Sequence, residues 1–169
     1  MHGLRSLAPW LLLVLACPAA AAQELVGRSV PPYPDGLAPV LGSCMSESSD
    51  PERICDFSLA VIGSRDGDAV TPRFVVAERN AGYDGASPRW EVTDAVPYPA
   101  TGKDRYFQVG SCRVDGRDDP RVGALVRHTD ATRERITDVA WAVRLELPEG
   151  RLAAVDPGAV DCLNEARGL

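Results

Sequence analysis

Cysteine is the residue type in this chain with the most chemistry to offer. Five are present: Cys17 near the start, then Cys44, Cys55, Cys112 and Cys162 much further along. A redox couple calls for a close pair such as Cys-x-x-Cys, and a zinc site calls for close cysteine pairs or neighbouring histidines. Neither spacing occurs. An even set of four distal cysteines points instead to disulfides. Three connectivities are open from sequence. The one expected joins Cys44 to Cys55 and Cys112 to Cys162. The first bond would close the stretch with Ser46, Ser48, Ser49, Asp50 and Pro51, which has no apolar core of its own. The second would pin the C-terminal tail to a sheet. Each bond would contribute roughly 2–4 kcal/mol by restricting the unfolded chain.

The other chemically capable residues are fewer. Apart from His2, His128 is the only imidazole, so a Ser-His-Asp site would have to use it, yet no Gly-x-Ser-x-Gly elbow accompanies it. Asp66 and Asp68, and then Asp115, Asp118 and Asp119, could offer oxygen ligands to calcium. They lack the Asp-x-Asp-x-Asp-Gly order with a distal glutamate, and Asp and Gly are also what turns require for their own geometry. Paired carboxylates among the 24 acidic residues keep a carboxylate-based hydrolase as an alternative. Phosphate-cradling glycine loops, dinucleotide fingerprints and basic-aromatic stripes are missing. No catalytic, cofactor-binding or metal-ligating residue is assigned.

The segment around Cys17 carries the address. Arg5, the apolar run Leu7 to Ala16, and Ala20-Ala21-Ala22 before Gln23 read as a secretory signal over residues 1–22. The run is interrupted by Pro9 and falls short of the roughly 20 residues that span a bilayer. Val14-Leu15-Ala16-Cys17 also resembles a bacterial lipobox, which makes acylation of Cys17 the alternative to cleavage after Ala22. Either route exports the chain to the periplasm or beyond, where cysteines oxidise. The net charge of −6 argues against nucleic acid and anionic lipid as partners and for cationic ones. The basic residues are almost all arginine, a preference read as codon composition.

Those residues need elements to hold them. Residues 23–43, with Val30-Pro31-Pro32-Tyr33-Pro34, read as a proline-rich extended lead-in lying over a single domain, 44–169. Cys55, Phe57, Leu59 and Val61 alternate with Asp56, Ser58 and Ala60, the pattern of a half-buried strand. Asp66-Gly67 then predicts a hairpin. With Arg65 facing Asp68, Leu59 would oppose Phe74 and Phe57 would oppose Val76. Pro72 would confine the return strand to an edge or delay its start. Asn80 to Arg89 reads as a loop, and Trp90, Val92 and Val96 as a third apolar face. Tyr106 to Val114 would pair with Val122 to His128. Val139, Trp141, Val143, Leu145 and Leu147 make the most regular strand, followed by a turn into Leu152 to Val155. Residues 130–138 compete between a short helix and an early strand start.

The fold class expected is mainly β: an antiparallel sandwich or rolled sheet of six to eight short strands, with at most one short helix and two disulfides. One core is the default at this length. The function expected is that of an exported, non-enzymatic envelope domain that acts by protein binding or structural support, without a cofactor. Its partner would be another envelope or secreted protein, in one form a cationic, lysozyme-like lytic enzyme that it inhibits.

Overall fold

Strand-forming residues dominate from Leu37 onward, with glycine or proline at most reversals. The computed structural model describes residues 18–47, 55–100, 102, 104–127, 132–165 and 167. Cys17 and His128 lie outside them. The first strands are Ser29–Val30 (β1), Leu37–Met45 (β2), Phe57–Asp66 (β3), Ala69–Asp84 (β4) and Ser87–Pro97 (β5). They form one sheet in the order β1-β5-β4-β3-β2. Next come Tyr106–Val109 (β6), Cys112–Val114 (β7), Arg117–Asp118 (β8), Val122–Val126 (β9) and Arg135–Ile136 (β10). The last are Val139–Glu146 (β11), Arg151–Val155 (β12) and Val160–Leu163 (β13). These make two four-stranded sheets, β12-β11-β9-β6 and β10-β13-β7-β8. All strand pairs are antiparallel, and the α-helix described is Pro18–Gln23 (α1). The expected fold class therefore stands. Among the described residues no helix is long and apolar enough to cross a membrane.

The expectation of one core gives way to three apolar layers. Phe57, Leu59, Val61, Val75 and Ala77 from the five-stranded sheet meet Phe107, Leu125, Val143 and Leu145 from the second sheet. The opposite face of that second sheet sends Val122, Ala124, Val126 and Ala142 against Cys112, Val160 and Cys162 of the third. On the outer face of the first sheet, Ala60, Ile62, Phe74, Val76 and Val92 are covered by Ala22, Leu25 and Val30. Residues 23–43 are thus part of the fold, since they supply β1, most of β2 and the apolar cover over this face.

Burial on both faces explains where the predicted register fails. Phe57 to Gly63 are all buried, so β3 is not half-exposed and its alternation carries no parity signal. The hairpin exists, but its two-residue loop is Gly67-Asp68, with Asp66 paired to Ala69 and Arg65 to Val70. Beyond a bulge at Ile62/Gly63, Leu59 opposes Ala77 and Phe57 opposes Arg79. Pro72 does not delay the strand, since it pairs with Gly63 beside that bulge, and it lies in the stretch of β4 before Phe74, where the β5 ladder begins, so this part of β4 is bordered by β3 alone. The bulge relieves the ladder of the donor that proline lacks. Asn80 to Arg89 is not a loop but the tip of the long β4–β5 hairpin, closed at Asp84 and Ser87. Most of its residues face water, which removes the apolar alternation that would have marked them as strand.

Tyr106 to Val114 does not run as one strand. It turns at Gly110, where φ is +84°, and β7 leaves the second sheet for the third. The part before the corner pairs with β9 as expected, Tyr106 with Val126 and Phe107 with Leu125. In the ambiguous segment, Arg135–Ile136 is strand, paired with Leu163 and Cys162.

Candidate functional site

Both predicted disulfides form, Cys44 with Cys55 and Cys112 with Cys162. The first ties β2 to the entry of β3. The second links directly paired positions on β7 and β13 and is buried in the third apolar layer. All four thiols are consumed, so none is free to act as a nucleophile.

The aspartates offered for calcium part company. Asp66 and Asp68 are exposed at the first hairpin turn, and Asp115 lies with Gly116 in the β7–β8 turn, both at positive φ. Asp118 is solvent-exposed on β8. Asp119 turns inward and accepts hydrogen bonds from Arg144 Nε at 2.7 Å and Arg121 Nε at 3.2 Å. Burial pushes its carboxyl up, but the bonds from Arg144 and Arg121 outweigh burial and hold it below the usual aspartate value. Among the described residues no three carboxylate, imidazole or thiolate groups converge as metal ligands.

The same clamp recurs twice. Asp138 accepts from Arg105 at 2.7 Å and Arg127 at 2.6 Å, and the bonds from these arginines depress its carboxyl. Asp161 accepts from Arg113 Nε at 2.9 Å and Arg135 Nε at 2.6 Å. Burial pushes it up, yet the Arg113 and Arg135 bonds prevail and lower it. Reading the arginine preference as codon composition therefore misses a structural use. The guanidinium fork satisfies both carboxylate oxygens in a way that lysine cannot.

Glu78 departs from this pattern. This β4 residue is 2% exposed and faces the outer side of the five-stranded sheet with Phe74 and Val76. It pairs across the ladder with Ser58, whose hydroxyl bonds its carboxylate. Among the described residues no arginine or lysine makes a salt bridge to it. Burial therefore dominates and pushes its pKa up to about 7, with the Ser58 bond opposing only in part. The phenol of Tyr33 is also pushed up, first by burial and then by the Glu78 charge.

Glu78 lines a surface cavity of about 270 Å³ together with Ser58, Ala60, Gly42, Tyr33, Trp90 and the Cys44–Cys55 bridge. The backbone explains why space is left there. Gly42 pairs with Ala60 and Cys44 with Ser58, so two neighbouring rows across the sheet carry small side chains. Tyr33, from the proline-rich segment, and Trp90, on β5, are half-buried and pack beside this floor. Tyr98, Trp90 and Trp141 do not gather on one face. Tyr98 and Trp141 flank Phe107 at 6.4 and 6.3 Å, on the other side of the sheet from Trp90.

Sequence reading passed over Glu78, although a signal was present: it continues the alternation of Phe74 and Val76 with a charge on the apolar parity. The Tyr33 and Trp90 walls are far from it in the chain, and only the strand order brings them together. No family model, curated protein or solved structure matches this chain.

Proposed function

We propose that the chain is an exported, non-enzymatic envelope domain that acts by binding another protein. The observation that carries this reading is the Glu78 pocket, a concavity in which a buried carboxylate lacking a salt-bridge partner among the described residues meets aromatic walls. Disulfides support export, since such bonds persist outside the reducing cytosol. Of the aspartates named for calcium, Asp119 is held by arginines and Asp118 is exposed on β8.

Export leaves two forms, and the fold bears on the choice between them. Cleavage after Ala22 would remove nearly all of α1, although Ala22 is fully buried against the sheet. Cleavage before Cys17 would retain the helix and leave an acylated N-terminus. Burial of Ala22 supports the anchored form. The mass of the exported protein separates the two, because acylation adds lipid to Cys17 and soluble cleavage starts the chain at Gln23.

The binding reading is tested with a photo-crosslinker placed at Leu41, an exposed residue on the pocket's edge, with Asp68 as a remote control. A saturable adduct at Leu41 and none at Asp68 is the expected result. Turnover of a defined substrate by the pure protein, lost in His128→Ala or Asp118→Ala, would overturn the reading. Inhibition of a cationic lytic enzyme is the second reading, favoured by the net charge of −6 and by Glu78, which has no salt-bridge partner among the described residues. It requires stoichiometric inhibition that weakens with salt.

A further inference from the structure

We propose that the pocket over Glu78 receives the cationic end of a lysine-like or arginine-like side chain, with Glu78 as counter-ion and Tyr33 and Trp90 as walls. This assignment rests on the binding reading above and specifies what the partner must present.

Other inward-facing carboxylates of this protein have donors of their own: buried Asp56 accepts the Glu47 backbone N–H at 2.9 Å, and three aspartates are clamped by arginine. Asp119, Asp138 and Asp161 each take two arginines. Glu78 is buried more completely than any of them, yet the partner it has is a neutral hydroxyl. A buried carboxylate without a cation is an expensive arrangement, because desolvation is not offset by Coulomb attraction. A ligand cation would complete the clamp from outside.

The walls select the same chemistry. Tyrosine and tryptophan present electron-rich faces that attract ammonium and guanidinium groups, more strongly where water is thinned out. The aliphatic stem of such a side chain matches Ala60 and the disulfide on the floor, while its head reaches the carboxylate. An anion would be repelled by Glu78, and a purely apolar group would bury the carboxylate further without pairing it. Size agrees as well. The cavity of about 270 Å³ sits just below the roughly 300–1,000 Å³ of small-molecule sites, which suits one side chain.

Burial holds the carboxyl near the middle of its titration at neutral pH, so a bound cation would draw it to the carboxylate form. Tyr33 is the other ionisable group on the pocket wall, and its raised phenol stays neutral.

The test uses the full chain, oxidised and exported, with n-butylammonium and n-butylguanidinium as probes and n-pentanol as the neutral match. The readouts are the Trp90 indole resonance and the Glu78 carboxyl resonance. Both cations are expected to shift the two signals saturably, and pentanol to leave them unmoved. Glu78→Gln keeps the shape and removes the charge, and it should weaken cation binding roughly tenfold or more. Because this change also removes a buried charge it should not impair folding, which retained amide dispersion verifies. Equal binding of pentanol, or wild-type affinity in Glu78→Gln, overturns the assignment. If the probes fail while crosslinking from Leu41 persists, the pocket chemistry falls and the binding reading stands. Turnover by the pure protein would remove the binding reading without altering the probe result.

Discussion

At the scale of single residues, the decisive contrast is between Asp119, Asp138 and Asp161, each clamped by arginines, and Glu78, whose bonded partner is the neutral Ser58. In an unfolded chain a glutamate titrates near 4.5, whereas burial pushes Glu78 to about 7 in the fold. Between these values the native state keeps a proton that the unfolded state has lost. Its contribution to stability is thus complete below 4.5, declines as pH rises through about 7, and is level beyond. The interval corresponds to roughly 3 kcal/mol. Glu78→Gln is expected to be more stable than the wild type by up to about 3 kcal/mol at pH 8 and nearly equal near pH 4, measured by urea unfolding at both. Asp119 and Asp161 work the other way. Their carboxyls are depressed, so the stability they supply is present above the ordinary aspartate value and lost as pH falls. At this scale the sequence was readable where chemistry depends on type and count, as with the four paired cysteines. It was mute where chemistry depends on surroundings, because nothing local distinguishes Glu78 from the other acids except its parity with Phe74 and Val76.

At the scale of elements, hairpins were legible and registers were not. Asp66-Gly67-Asp68 announces a turn through its own backbone chemistry, whatever surrounds it. The pairing beyond the turn depends on a bulge that needs Gly63. A Cβ at that position would lie 2.4 Å from the Thr71 carbonyl oxygen, a backbone atom that cannot rotate aside. Gly63→Ala should therefore destabilise the protein by roughly 1–3 kcal/mol. Urea unfolding measures the loss, and amide exchange should localise it to β3 and β4. A variant as stable as the wild type would show that the close approach at the bulge is not required. The β4–β5 tip illustrates the opposite case. It is strand without an apolar face, bulged at Asn80/Gly82 where the Asn80 side chain accepts the Gly82 N–H, and most of its residues project into solvent.

At the scale of the whole molecule, three sheets and an N-terminal cover share three apolar layers, and the third sheet is the smallest of these units. Its strands β7 and β13 are held together by Cys112–Cys162, 50 residues apart in sequence. Replacing both cysteines with alanine should cost roughly 2–4 kcal/mol, read as a fall in the urea midpoint of the oxidised protein. The largest gain in amide exchange should appear in β7, β10 and β13. An unchanged midpoint would mean that the ladder and the Asp161 clamp suffice. Composition, cysteine count, turn residues and strand-rich patterning determined the fold class and the expectation of two disulfides, because each acts through local chemistry; which of the three connectivities forms was decided by the strand pairing that sets Cys112 opposite Cys162. What the chain could not declare was the layering. Strands buried on both faces lose the period-two signal, so the register, the strand order and the recruitment of residues 23–43 into the fold emerged only from tertiary packing. The Glu78 pocket belongs to that second group, since a carboxylate, a tyrosine and a tryptophan become a site only when three distant segments are laid side by side.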